Sequence, residues 1–195
     1  MGTNSDLAAF ILAGGKSTRM GTDKAFVTLA GRTLLTRALE VARSVTSDVR
    51  IVGEPAKFAP FAPVVEDIFA GCGPLGGIHA ALRCSGADLN LMLALDLPFV
   101  SPALLQHLTD RARNSAAFVT VARSNTGWQP LCAVYRRDFA EKAENALRTR
   151  HYKIDALFDE RTQVITEEEL QAAGFSARVF RNLNTPEELS AAGSE

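Results

Sequence analysis

The segment LNLMLALD, Leu89–Asp96, is nearly all apolar until its last residue. A run this short and this apolar reads as a strand covered on both faces, the central strand of a parallel sheet. Its aspartate then falls at the strand's carboxyl end, where sheets of that kind bind ligands. LAAFIL (Leu7–Leu12) repeats the pattern and runs into a second unusual strand end, Leu12-Ala13-Gly14-Gly15.

Helical patterns alternate with these strands. Thr33–Ser44 carries Leu34, Leu35, Ala38, Leu39, Val41 and Ala42 at helical spacing, with Arg37, Glu40 and Arg43 on the other face. Val49–Val52 reads as the next strand and Gly77–Cys84 as a helix. Ser101 and Pro102 supply an N-cap and an N1 proline for a helix over Pro102–Arg113. Ala116–Arg123 and Pro130–Tyr135 read as strands around a loop, SNTGWQ. Arg137–Arg148 and Glu167–Ala173 read as helices, the second with a Thr166/Glu169 capping box and Gly174 just past its end. The tail NLNTPEEL offers Thr185 as N-cap, Pro186 at N1 and Glu188 at N3. Strand, loop and helix in repetition predict an α/β chain with a mostly parallel sheet. No linker, repeat or low-complexity segment interrupts it, so one domain over residues 1–195 is expected.

Composition narrows the partners. Of 195 residues 47% are hydrophobic and 22% charged, with a net charge of −1, so no global positive field exists to hold a nucleic-acid backbone. No apolar run approaches the roughly 20 residues of a membrane span, and the N-terminus lacks the basic start of a signal peptide. Cys72, Cys84 and Cys132 show no C-x-x-C spacing and read as buried or free thiols. The expectation is a cytoplasmic protein with no membrane or nucleic-acid partner.

The segment GGKST at 14–18 looks like a phosphate-binding P-loop, but G-x-x-x-x-G-K-[ST] would need glycine where Phe10 stands. Dinucleotide spacing, G-x-G-x-x-G, fails as well. A polyanion site remains. Gly14 and Gly15 let the backbone approach a phosphate, Ser17 and Thr18 add hydroxyls, and Lys16, Arg19 and Lys24 place three cations within nine residues.

The longer pattern Leu12-Ala-Gly-Gly-Lys-Ser-Thr-Arg-Met-Gly-Thr-Asp-Lys24 resembles the signature loop of nucleotidyltransferases, and most of all the L-x-G-G-x-S-x-R-M-G-x-D-K loop of the molybdenum cofactor guanylyltransferases. VVEDIFAGCGPLGGIHAAL, LALDLPFVSP, QPLCAVY and NLNTPEEL are similar to further segments of that family, in its order and over nearly the full length. The resemblance implies a three-layer, Rossmann-like nucleotidyltransferase fold, its mixed and mostly parallel sheet carrying helices on both faces. It implies GMP transfer from GTP to the terminal phosphate of molybdenum-molybdopterin, with Mg²⁺ as cofactor. Cofactor-delivering or molybdoenzyme-maturation proteins are then further partners. Alanine in place of Gly14 is usual in the cytidylyl relatives. One departure is Gly53, where the family often has a polar residue such as asparagine.

Carried over residue by residue, Leu12, Ala13, Gly14, Gly15, Ser17, Lys24, Asp67 and Asp96 bind the nucleotide, and Arg19, Lys24 and Asp96 carry catalysis. Asp96 is the expected Mg²⁺ ligand, a hard carboxylate suited to that ion. Asp67 is the expected acceptor for the guanine N1–H and N2–H₂. Lys16 reads as a solvated side chain. Four glycines at 71, 73, 76 and 77 bring backbone close to the nucleotide. Asn182 and Asn184 are placed beside the pterin substrate. Trp128 and Gln129 either line that side or fold onto the core. His79 and His107 fall in helix patterns without ligand spacing. Other readings stay open: a nucleotidyltransferase acting with CTP or on a sugar or alcohol phosphate, a non-catalytic nucleotide-binding or cofactor-carrier protein, and a P-loop GTPase.

Overall fold

The computed structural model describes residues 6–14, 23–183 and 188. Within them, Leu7–Leu12 forms β1, Thr28–Leu29 β2, Arg32–Thr33 β3, Val49–Val52 β4, Val64–Val65 β5, Leu89–Ala94 β6, Val119–Ser124 β7, Gly127–Arg136 β8 and Thr162–Thr166 β9. The helices are α1 (Leu34–Arg43), α2 (Pro55–Phe58), α3 (Pro74–Cys84), α4 (Pro102–Arg113), α5 (Phe139–Arg148) and α6 (Glu167–Ala172). Seven strands make one sheet in the order β5-β4-β1-β6-β8-β7-β9. β1 lies parallel to both β4 and β6, and β8 is antiparallel to its neighbours β6 and β7.

The two-residue period of β1 divides the core. Leu7, Ala9 and Ile11 face α1 and α4 through Leu35, Leu39, Leu104 and Leu108. Ala8 and Phe10 face α3 and α5 through Leu75, Ile78, Phe139 and Leu147. Helices therefore cover both faces, the three layers expected of the fold. Every β6 side chain is buried, as its composition requires of a central strand.

Local chemistry sets the helix starts. Thr33, Ser101 and Thr166 each accept a backbone N–H two or three residues into their helix, and Thr166 with Glu169 completes the capping box. Gly174 takes the positive φ of +87° that ends α6. Several boundaries differ from the sequence reading. β7 begins at Val119 rather than Ala116, and α1 runs over Leu34–Arg43, with Thr33 as its cap. α3 begins at Pro74 rather than Gly77, because proline at N1 extends the helix back to Gly73. α5 begins at Phe139 rather than Arg137. SNTGWQ is mostly strand: Gly127, at φ +111°, makes a tight turn and β8 starts there. Thr185 and Pro186 lie outside the described residues. Among the described residues, no helix is long and apolar enough to cross a membrane.

The three cysteines are free thiols, and burial pushes that of Cys132 up to about 12. His79 is buried on α3, where its Nε2 lies 3.3 Å from Glu144 Oε2 of α5. Burial lowers its pKa below the ordinary imidazole value, against the opposing pull of Glu144. The unfolded chain therefore binds the proton more readily than the fold does. Stability should fall as pH drops through the unfolded value of about 6.5 and level off below the folded one. His79→Gln is expected to flatten that part of the melting-temperature profile. An unchanged acid slope in the variant would assign the loss to other groups.

Candidate active site

The carboxyl ends of four neighbouring strands stop at one level. Leu12 of β1 stands opposite Val52 of β4 and Ala94 of β6, and Val52 stands opposite Val65 of β5. The Ala13 N–H donates to the Val52 carbonyl at 3.0 Å and the Gly53 N–H to the Val65 carbonyl at 3.0 Å. The residues that follow, Ala13-Gly14, Gly53, Glu66-Asp67 and Leu95-Asp96, share one rim.

Lys24 and Asp96 meet on it. Lys24 Nζ lies 3.6 Å from Asp96 Oδ2, an ion contact longer than a hydrogen bond. Lys24 opens a 3-10 turn, Lys24–Phe26, whose cap Asp23 accepts the Ala25 N–H at 3.1 Å. Lys57 of α2 holds the same Asp23 at 3.3 Å and Glu54 at 3.0 Å. On the other side, the Leu183 N–H donates to the Asp96 carbonyl at 3.1 Å. Leu183 is fully buried in a small cluster with Leu29 and Leu34, so the β2–β3 hairpin anchors the chain that carries Asn182. Asp96 is thus fixed by its backbone from the C-terminal segment and faced by a lysine from the loop after β1.

Asp67 joins the rim from the β5 side. A methyl group built on Gly77 would lie 3.3 Å from Val52 Cγ1 and 3.6 Å from both Asp67 Oδ1 and Leu12 Cδ2. Gly77 therefore lets the first turn of α3 settle against the Asp67 carboxyl and the end of β1. The residue is open to solvent at its outer edge, yet crowding around the carboxyl raises its pKa above the ordinary carboxylate value. Gly71 and Gly73, at φ +75° and +68°, turn the loop between Asp67 and α3.

Of the residues the sequence singles out, Lys24 and Asp96 are in contact. Leu12 and Asp67 converge on Gly77. Ala13 and Gly14 continue the same rim, and Asn182 is exposed beside Leu183. Gly15, Lys16, Ser17, Thr18, Arg19 and Asn184 lie outside the described residues. Gln129 spends its amide on the β7–β8 turn, donating to Ser124 Oγ at 3.1 Å and Thr126 Oγ1 at 3.3 Å. Trp128 is half-buried with its ring edge-on to Phe158. Sequence reasoning missed Lys57 and Leu183, whose partners are distant in the chain. The one local signal for α2 is Pro55 following Glu54.

Gly53 has a packing reason. A methyl group there would lie 2.9 Å from Cδ2 and Cε2 of Phe58, whose ring is 2% exposed. The aromatic ring fills the space that an asparagine would use. Gly53→Asn should cost about 1–3 kcal/mol by overpacking, read from denaturant unfolding, and pairing it with Phe58→Leu should recover most of the loss. Full stability in the single variant would mean the ring has room to move.

A glycine-lined rim on a mixed, mostly parallel sheet, with a lysine–aspartate pair at the end of its central strand, is the arrangement of an α/β nucleotidyltransferase. The chain belongs to the MobA-like NTP transferase domain family, whose sequence model matches residues 9–183. It is 35% identical over 182 residues to a probable molybdenum cofactor guanylyltransferase of Pelotomaculum thermopropionicum, covering 92% of this chain and 88% of the relative. It is 35% identical over 190 residues to a molybdenum cofactor guanylyltransferase of Desulfosudis oleivorans, covering 95% and 94%. Among solved structures, the molybdopterin-guanine dinucleotide biosynthesis protein A of Archaeoglobus fulgidus superposes with a TM-score of 0.81 at 29% identity, covering 96% of this chain and 97% of that one.

Proposed function

We propose that this chain transfers GMP from GTP to the terminal phosphate of molybdenum-molybdopterin, releasing pyrophosphate and the molybdopterin guanine dinucleotide. The contact of Lys24 with Asp96 at the end of β6 carries this reading, supported by the names of the relatives. The acceptor phosphate is already anionic near neutral pH, so attack needs no strong base. Its oxygen bonds to the α-phosphorus in line, the α–β bridging P–O bond breaks, and the electron pair leaves with pyrophosphate. Catalysis is then positioning and charge neutralisation. Lys24 and Arg19 neutralise the triphosphate and the leaving group. Leu12, Ala13, Gly14, Gly15 and Ser17 give the nucleotide a backbone and hydroxyl cradle, and Asp67 accepts from the guanine edge. Asn182 and Asn184 are assigned to the acceptor.

The donor set fits Mg²⁺. Among the described residues no cluster of three His, Cys, Asp or Glu side chains forms a protein-only cage. Mg²⁺ takes one or two carboxylates together with substrate phosphates and water, which Asp96 and a triphosphate provide. The ion, when bound, would neutralise phosphate charge. Asp96 would hold it, and Lys24 would keep that carboxylate turned toward the nucleotide.

In this reading residues 1–195 act as one nucleotidyltransferase domain in the cytoplasm, and cofactor-delivering or molybdoenzyme-maturation proteins hand over the acceptor or collect the product. The test is transfer with molybdenum-molybdopterin, Mg²⁺ and each of GTP, CTP, ATP and UTP, reading the dinucleotide by mass. GMP transfer from GTP well above the others is expected. CMP transfer would overturn the base assignment, and no transfer from any nucleotide would overturn the activity.

A further inference from the structure

We infer that Arg123, set over the Trp128 ring at the carboxyl end of β7, receives the pterin ring of the acceptor. This rests on the proposed function and names the part of the site that the nucleotide half leaves open. Gly14, Gly53 and Asp67 all lie on the β1–β4–β5 side of Asp96, whereas β8 and β7 continue the sheet on its other side. That second half must take the acceptor.

Arg123 is built into this half. It stands opposite Trp128 across the β7–β8 ladder, directly after a register shift between Val121 and Arg123. Such a bulge re-aims the side chain that follows it. The guanidinium carbon sits 5.0 Å from the indole centroid, and the indole is braced by Phe158 with ring centroids 5.0 Å apart at 70°. The hydrogen bonds of Gln129 to Ser124 and Thr126 lock the turn beneath the pair. The contact of Arg123 is an aromatic face, and the residue is exposed.

Distance selects the part of the acceptor involved. The acceptor phosphate must lie in line with the α-phosphorus, beside Lys24 and Asp96. β7 lies two strands beyond β6, at least about 10 Å at the usual strand spacing, and Trp128 sits four residues further along β8 than Cys132, the partner of Leu93. That is too far for Arg123 to touch the phosphate, and it is comparable to the reach from the phosphate to the pterin. A guanidinium backed by an indole offers a flat cationic face for a heteroaromatic ring, and its edge N–H groups can donate to the ring's carbonyl oxygen.

Equilibrium binding of molybdenum-molybdopterin and of Mg-GTP to the intact protein tests this without turnover. Arg123→Gln and Trp128→Ala should weaken acceptor binding about tenfold, with GTP binding within about twofold; the melting temperature should be unchanged in Arg123→Gln and lowered in Trp128→Ala, which loses its packing on Phe158. Trp128→Phe, which still backs the guanidinium, should retain most of the affinity. Should Trp128→Ala fail to fold, Arg123→Gln and Trp128→Phe carry the test. Unchanged acceptor affinity in Arg123→Gln, or equal weakening of both ligands, would overturn the assignment. If acceptor binding falls as expected while the parent protein makes no dinucleotide, the pterin site stands and the proposed reaction fails.

Discussion

Asp96→Asn should lower the rate of GMP transfer at saturating substrates by about 10²–10³-fold, the scale seen when one preorganised electrostatic group is lost. The substitution keeps the size of the side chain. It also keeps the hydrogen bond from the Leu183 N–H, which goes to the Asp96 backbone carbonyl. The fold and the melting temperature should therefore be preserved. What disappears is the charge that faces Lys24 at 3.6 Å and the hard oxygen suited to Mg²⁺. The loss should appear in kcat more than in the KM for GTP, because the phosphate cradle contributes to binding without it. A steady-state comparison checks this. A fall of tenfold or less would mean that Asp96 only caps its turn.

The second large effect belongs to Asp67. Asp67→Asn should raise the KM for GTP about 10²-fold and narrow the preference for guanine over the other bases. A carboxylate accepts both the N1–H and the N2–H₂ of guanine, each charged hydrogen bond contributing about 1.5–3 kcal/mol. The amide keeps one acceptor and points a donor at a donor. The pH dependence gives an independent check. Crowding raises the Asp67 pKa, so as pH falls through that raised value the carboxyl gains a proton, loses an acceptor and binds GTP less well. For folding the linkage has the opposite sense, since a raised carboxylate pKa favours the folded state on acidification. The acid rise in the KM for GTP should be present in the parent protein and absent from Asp67→Asn. Parallel profiles would place the guanine contact elsewhere.

Wherever the signal is local, the sequence announces it. β1 and β6 are legible because a strand buried on both faces must be apolar throughout. The starts of α4 and α6 are legible because Ser101 and Thr166 are caps. Asp96 stands out as a carboxylate closing an apolar run. The β2–β3 hairpin escapes notice because its turn puts Ala30 at φ +47° before Gly31 at +77°, and alanine seldom marks such a turn. β9, TQVIT, escapes because an edge strand needs little apolar character. The extension of β8 back to Gly127 escapes because Gly-Trp-Gln reads as loop until its pairing with β7 is known. Within the site, the legible half is the set of charged and glycine residues. The illegible half is what aims them: Lys57 on Asp23 and Leu183 on Asp96 join residues far apart in the chain, and the space that Phe58 takes beside Gly53 appears only once α2 is packed.

The central claim concerns which bond of GTP breaks, and label partition measures that directly. Parallel reactions would contain molybdenum-molybdopterin, Mg²⁺ and GTP labelled either on the α-phosphate or on the γ-phosphate. Transfer of GMP places the α label in the dinucleotide and the γ label in pyrophosphate, in equal molar amounts. Release of the γ label as inorganic phosphate, with the α label left in GDP, would show hydrolysis by a GTPase and contradict the account.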